Sequence, residues 1–290
     1  MSPRNPGFVE LGFRLGKEKL FEYIKNLGFG EKTGIDLNGE AKGILFDLDK
    51  VGNVELATTA FGQGVSVTPI QQITSVSAIV NGGTLYKPYI VKSTENSKGD
   101  ILTSVSPTEV RTVITKETSE MVRYALESVV ANGSGRNAYI ENYRIGGKTG
   151  TAQKVNNGTY MVGNYILSFI GFMPADKPEI VVYVAIDNPK GVVQYGGTVA
   201  APIAKGIFES YIEINDLQPV KDGMPKEYNW LDTKYSVLPS VIGKSVKEAN
   251  TILKGYKLEY SGTGSKVIYQ SPEEGYYVKD GTTIKLMLGD

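Results

Sequence analysis

Apolar residues at Phe8, Leu11, Leu15, Leu20, Ile24 and Leu27 recur at a loosely helical spacing that Gly28 closes, which predicts one helix over residues 8–27. Residues 30–50 are rich in turn formers and poor in strand formers. Thr68-Pro69 then makes a good helix start, a hydroxyl cap followed by proline at the first helical position. Ile70, Ile73, Val76, Ser77 and Val80 form the expected inner stripe, and Asn81-Gly82-Gly83 ends the helix. Another helix begins near Thr115. Its stripe, Val122, Ala125, Leu126, Val129 and Val130, falls at i, i+3, i+4, i+7 and i+8, and Gly133-Ser134-Gly135 stops it. Strands are expected over residues 143–153, 166–173 and 180–186, the last almost continuously β-branched or aromatic. A closing helix over 198–210 carries Ala200, Ile203, Ala204, Ile207 and Phe208. Helix, strand, strand, strand, helix is the order of an α+β domain, an antiparallel sheet with helices packed on it.

The pattern changes after residue 214. Residues 215–236 hold Asp216, Pro219, Lys221, Asp222, Gly223, Pro225, Lys226 and Glu227 without periodicity, which reads as a polar linker. Beyond it, residues 237–290 form a small module opened by Val237-Leu238-Pro239. Ser245 caps a predicted helix bearing Val246, Ala249, Ile252 and Leu253, and Glu248 completes a capping box. Strands over 267–270 and 282–288 close it, with turns at Ser271-Pro272-Glu273-Glu274-Gly275 and Asp280-Gly281. The chain is therefore expected to divide into a domain at 1–214, a linker at 215–236 and a module at 237–290.

Composition mainly removes possibilities. The 290 residues contain no His and no Cys, so histidine-based triads are excluded and a zinc site would need carboxylates alone. No metal and no cofactor is expected. The Asp47-Leu48-Asp49 pair is read as two solvated carboxylates. Lys plus Arg and Asp plus Glu both number 31, which leaves no electrostatic footprint for nucleic acid or an anionic membrane. The apolar stretches at 165–173 and 180–186 are too short to span a bilayer, and Met1-Ser2-Pro3-Arg4-Asn5-Pro6-Gly7 lacks the hydrophobic core of a signal peptide.

One run carries chemistry. Gly147-Lys148-Thr149-Gly150-Thr151-Ala152-Gln153 places a cation, two hydroxyls and a bare glycine on one strand, suited to gripping a carboxylate beside a reacting carbonyl. Lys-Thr-Gly is also a signature of serine acyl transferases of the penicillin-binding and β-lactamase type. Its context sharpens this: Ala60-Phe61-Gly62-Gln63-Gly64, Val67-Thr68-Pro69-Ile70-Gln71, Asn81-Gly82-Gly83 with Pro88, and Phe169-Ile170-Gly171-Phe172 with Pro174. In that order they resemble a class B penicillin-binding protein, a serine-type D,D-transpeptidase of bacterial cell-wall synthesis. Leu238-Pro239-Ser240-Val241-Ile242-Gly243, the helix through Ala249, Gln270-Ser271-Pro272 and Gly281 resemble a PASTA domain of βαββ form. One such domain behind a transpeptidase is most similar to sporulation-specific and division-type enzymes of Gram-positive spore formers.

The resemblance implies a mechanism and its residues. A serine attacks the penultimate D-Ala carbonyl of a stem peptide and forms an acyl-enzyme. Thr151 is implied to give one oxyanion N–H, and the hydroxyls of Thr149 and Thr151 to bind the terminal carboxylate of D-Ala or of a β-lactam. Lys148 is implied to bias the field for that anion and to reach the serine network. Gly150 lets the substrate backbone lie flat on the strand. Two departures stand out. No serine in the chain has lysine three residues on, so the Ser-x-x-Lys nucleophile motif is missing. Of the second motif, Ser-x-Asn, only Asn5 matches, with Pro3 where serine belongs.

The expectation is thus the C-terminal part of such an enzyme, inactive alone as an acyltransferase, with the edge of 180–186 and an apolar face left open. Stem peptides or β-lactams are the expected ligands and cell-wall synthesis proteins possible partners. The location is the outer face of the cell membrane, reached through an anchor in the parent protein. The rival reading is a non-catalytic peptidoglycan- or partner-binding protein acting through the PASTA module. A penicillin-sensing or β-lactamase relative fits the linker and module less well. The charges Lys244, Lys247, Glu248, Lys254, Lys257 and Glu259 are read as a solvated surface.

Overall fold

Gly16 decides how the chain begins. At φ +80° it holds the left-handed backbone that an α-helix cannot continue through, so the single helix expected over 8–27 is two, α1 (Asn5–Leu15) and α2 (Lys17–Asn26). The computed structural model describes residues 5–156, 159–226, 235–279 and 281–290. It divides into two compact units, Met1–Glu227 and Tyr228–Asp290.

In the first unit α3 (Asn53–Ala60) packs on α1, and α4 (Pro69–Val80) follows. The start of α4 is as expected: Thr68 Oγ1 accepts from the Gln71 N–H at 3.2 Å, and Gln71 Oε1 returns the bond to the Thr68 N–H at 2.9 Å. Its buried side is Gln71, Ser75, Ala78 and Val80, whereas Ile70, Ile73, Val76 and Ser77 are only half-buried. The stripe was placed about a third of a turn off because Gln71 is a core residue. Its amide donates to the carbonyls of Glu31 at 2.6 Å and Lys42 at 2.9 Å, tying the turn-rich 30–50 region to the helix.

Two short antiparallel pairs come next, β1 (Thr84–Lys87) with β4 (Thr108–Thr112) and, between them in the chain, the hairpin of β2 (Ser93–Glu95) with β3 (Ile101–Ser104). They are short and largely exposed, so they carry little of the alternation that marks a strand in sequence. The Asp36 carboxylate accepts the N–H groups of Ile90 and Val91 at 2.7 and 2.8 Å, joining the loop after β1 to the 30–50 region.

The helix α5 (Lys116–Asn132) leads to the antiparallel sheet β5 (Gly146–Asn156), β6 (Thr159–Met173) and β7 (Ile180–Asp187), in the order β5-β6-β7, and α6 (Gly196–Ile214) closes the unit. Alternation along β6 sends Phe169 and Met173 to one face, where Val130, Ala200, Ala201, Ala204 and Phe208 complete a core. Phe172 turns to the other face and meets Val80 and Ala175. The small residues of α6 bring its axis close to the sheet. Ile203 and Ile207, expected on its inner stripe, are exposed instead. On α5 Ala125 is exposed, while Ser119, Glu127, Val130 and Ala131 are buried.

β7 is an edge strand as expected, paired among the described residues with β6 alone, and its apolar side chains are buried or half-buried apart from Ala185. Apolar exposure concentrates on α1, where Phe8, Leu11, Phe13 and Leu15 are 42–59% exposed and only Gly12 is buried. Residues 215–226, read above as the start of a linker, lie against this unit. Tyr143 Oη donates to the Leu217 carbonyl at 3.0 Å, the Val220 N–H donates to the Asn142 carbonyl at 2.8 Å, and Asn132 Nδ2 donates to the Pro225 carbonyl at 3.1 Å. Residues 227–234 of that segment are outside the described ones.

The second unit contains β8 (Tyr235–Val237), α7 (Val246–Ile252), β9 (Lys257–Gly262), β10 (Lys266–Ser271), β11 (Tyr277–Lys279) and β12 (Thr283–Gly289). Ser245 and Glu248 form the expected capping box. The sheet order is β10-β12-β9, with β12 and β9 parallel, and β8 pairs β11 separately. The expected βαββ plan has one strand ahead of the helix, where β8 stands, but lacks β9 and β11. Of these, β9 is an edge strand almost wholly exposed, so it shows no alternation of buried and exposed residues. The core is Leu238, Val241, Ala249, Leu253, Val267, Val278, Ile284 and Leu286.

Candidate functional site

The expected site residues other than Asn5 lie on β5, whose one sheet neighbour among the described residues is β6. Lys148, Thr149, Gly150 and Thr151 stand opposite Ile170, Phe169, Ser168 and Leu167. This register puts Thr149 and Thr151 on the Phe169 face, which α6 covers, and Lys148 on the other. The Lys148 side chain is exposed, and its ammonium donates to the Thr149 carbonyl at 2.7 Å. A Cβ at Gly150 would collide with Ser168 Oγ unless that hydroxyl rotated away.

Two further elements reach the threonines. The turn after α5 brings Ser134 Oγ to 3.0 Å from Thr149 Oγ1. The first residue of α6 directs the Gly196 N–H at Thr151 Oγ1, 3.4 Å away. Backbone packs on backbone here, since a Cβ on Gly196 would meet the carbonyls of Ser168 and Gly150. Asn137 Nδ2 donates to the Gly197 carbonyl at 2.8 Å and fixes the turn against α6. Ser134, Asn137, Gly196 and Gly197 were missed by sequence reasoning. Gly133-Ser134-Gly135 registered only as a helix stop and Gly196-Gly197 as nothing, because neither carries a charge.

Asn5 is not part of this grouping. It opens α1, which packs on α2 and α3, and among the described residues no hydrogen bond joins it to β5. Pro3 and Ser2 lie outside the described residues.

The strand is braced from below by an ion pair. Buried Glu127 of α5 takes a two-pronged contact from Arg144, Nε to Oε1 at 3.0 Å and Nη2 to Oε2 at 2.8 Å. The Glu127 hydrogen bond raises the Arg144 pKa above its ordinary value. Arg144 also ties down the turn before β7, its carbonyl accepting the Ala175 N–H at 2.8 Å.

A cavity of about 460 Å³ lies elsewhere, lined by Ile70, Ile73, Val80, Tyr86 and Ile180 among others and by no residue of β5. Among the described residues there is no group of three or more Asp and Glu placed to hold a metal ion, and no helix is long and apolar enough to cross a membrane.

Comparison with known proteins puts this geometry in a family. A profile described as the penicillin-binding protein transpeptidase domain matches residues 2–209, and one for the PASTA domain matches 236–290. Stage V sporulation protein D of Bacillus subtilis (strain 168) is 58% identical over 285 residues, covering 98% of this chain and 44% of that protein. Penicillin-binding protein PbpB of Mycolicibacterium smegmatis is 34% identical over 69% of this chain and 32% of its own length. The chain thus spans less than half the length of these relatives. Among solved structures, penicillin-binding protein 3 of Mycobacterium tuberculosis complexed with ampicillin matches with TM-score 0.70 and 30% identity, over 77% of this chain and 51% of that one. The transpeptidase domain of Burkholderia pseudomallei penicillin-binding protein 3 matches with TM-score 0.66 and 30% identity, over 76% and 63%. With its lysine-threonine-glycine strand on the rim of an α+β unit and a PASTA domain behind it, the chain belongs to the penicillin-binding protein transpeptidase family.

Proposed function

We propose that this chain carries the carboxylate-binding and oxyanion-binding wall of a peptidoglycan D,D-transpeptidase site. The observation that carries the reading is β5: a cation, two hydroxyls and a bare glycine on a strand whose other edge has no strand partner among the described residues. An extended stem peptide ending in D-Ala-D-Ala, or a β-lactam, adds alongside β5 as a further strand would. Thr149 and Thr151 hydroxyls donate to its terminal carboxylate, and Lys148 supplies the compensating charge. The Thr151 N–H stabilises the oxygen of the penultimate carbonyl as it becomes tetrahedral.

In the reaction the serine oxygen bonds to that carbonyl carbon, the peptide C–N bond breaks, and terminal D-Ala leaves with the proton. The amine of a second stem peptide then displaces the serine and completes the cross-link. Ser-x-x-Lys occurs nowhere in the 290 residues, so on this reading the chain by itself supplies no nucleophile of that motif and forms no acyl-enzyme. Asn5 is carried as the remnant of the second motif by the resemblance alone, since among the described residues no hydrogen bond joins it to β5. The setting is the outer face of the cell membrane, within a longer protein that serves sporulation or division.

The test is a 15N NMR titration of the chain with an N-acetylated peptide ending in D-Ala-D-Ala. Amide shifts are expected at Lys148–Thr151 and Gly196, and none from the same peptide ending in a C-terminal amide. Shifts elsewhere, or equal shifts from both peptides, would overturn the reading. Binding confined to residues 236–290 would favour the second reading, a non-catalytic peptidoglycan-binding role; an exposed apolar pair on β10 and β12, Tyr269 opposite Met287, favours it.

A further inference from the structure

Ser134 has no assigned role, yet its hydroxyl is 3.0 Å from the hydroxyl of Thr149. Each hydroxyl has one proton and two acceptor lone pairs, so the direction of this bond decides what Thr149 has left to offer. If Thr149 donates to Ser134, its proton is spent. If Ser134 donates to Thr149, that proton is available to a ligand. A carboxylate is a far stronger acceptor than a serine hydroxyl, so an anion at β5 selects the second arrangement.

Thr151 is served in the same way. The Gly196 N–H is 3.4 Å from its oxygen, occupying the acceptor side and leaving the Thr151 proton to point elsewhere. Behind that N–H stands the N-terminus of a 19-residue helix with no acidic residue in its first turn, so its partial positive charge is uncompensated by the helix itself. Each threonine oxygen therefore has a group able to donate within reach, the two threonines share one face of β5, and donors in series strengthen one another.

Ser134 is also held in place. The Gly135 N–H donates to the Val129 carbonyl at 3.0 Å, and the Ala138 N–H to the Gly135 carbonyl at 2.8 Å. A Cβ at Gly135 would press on Val130 and the Phe169 ring at 3.2 and 3.3 Å, so the turn sits directly on the core. Asn137 joins it to α6.

We propose that Ser134 is a positioning residue of the carboxylate site, donating its proton to Thr149 so that Thr149 donates to the bound anion. This rests on the reading of β5 given above and adds a residue to it. The same NMR titration tests it in the full chain, with the D-Ala-D-Ala peptide and its C-terminal amide as probes. Ser134→Ala is expected to weaken the carboxylate peptide about fivefold, the loss of one hydrogen bond in a series. Ser134→Thr is expected to stay within about twofold of the wild type, since it keeps the hydroxyl. The C-terminal amide peptide should give no shift on β5 in either the wild type or Ser134→Ala. The inference is overturned if Ser134→Ala binds the carboxylate peptide as the wild type does while Thr149→Val weakens it, an outcome that leaves the β5 reading standing. It is equally overturned if Ser134→Ala and Ser134→Thr lose the carboxylate peptide alike, which is a packing defect. A wild-type chain that shows no shift on β5 overturns both.

Discussion

Replacing Glu127 by alanine should cost the first unit more than any exposed ion pair in the chain. The Glu127 side chain is 4% exposed and that of Arg144 22%, and two hydrogen bonds of 3.0 and 2.8 Å join them. Removing one member of a buried pair leaves the other charge uncompensated, at about 3–5 kcal/mol. Arg144 keeps some water and a distant Asp176 carboxylate at 3.9 Å, which argues for the lower end. Alanine also strips the Met224 N–H of its acceptor at 3.3 Å. A loss of about 3 kcal/mol corresponds to roughly 6–12 °C in Tm for a unit of this size. The assay is calorimetry of the full chain, following the transition of the larger unit. Paired with Arg144→Met, the losses should fall short of additive by about 2 kcal/mol, since the second substitution removes the stranded charge. A Glu127→Ala shift below about 2 °C, or additive losses, would refute this account of the brace.

Two other outcomes follow from the same structure. Gly196→Ala places a Cβ against two carbonyls of the sheet and should lower the same Tm through about 1–3 kcal/mol of overpacking, with Thr151 amide shifts as its local sign; an unchanged Tm and spectrum would mean α6 is not seated on β5 as described. Asp36 is held below its ordinary pKa of 3.8 by the N–H groups of Val91 and Ile90, so its contribution is present above that pH and fades as pH falls through the lower folded value. The Ile90 and Val91 amide shifts should titrate together with a midpoint under 3.8, and a midpoint at or above it contradicts the bonds.

Much of the site was legible because its chemistry is written in consecutive residues. Lys148 to Thr151 announces a cation and two hydroxyls on one strand, and the order from α5 to α6 follows from apolar spacing. What stayed hidden is what tertiary structure assembles. Ser134 and Gly196 are 17 residues before and 45 residues after Thr151, and look like turn formers until the fold brings them to the threonines. Gln71 and Glu127 were invisible for a related reason: polar residues on an inner face contradict the periodicity rule, and only their partners explain them. The breaks were misjudged where one residue outweighed a pattern. Gly16 split a run that apolar spacing joined, and the exposed Phe8 and Leu11 show that α1 does not bury the stripe its sequence advertises. Residues 215–226 read as a linker because their anchors are mostly backbone groups, which composition does not reveal.

The most direct test of the central claim is intact mass spectrometry of the chain after incubation with benzylpenicillin, followed by peptide mapping. A wall that binds carboxylate but lacks a Ser-x-x-Lys nucleophile predicts unmodified protein at every serine and threonine. A penicilloyl ester on any serine or threonine of the chain would contradict it, and its position would name the nucleophile.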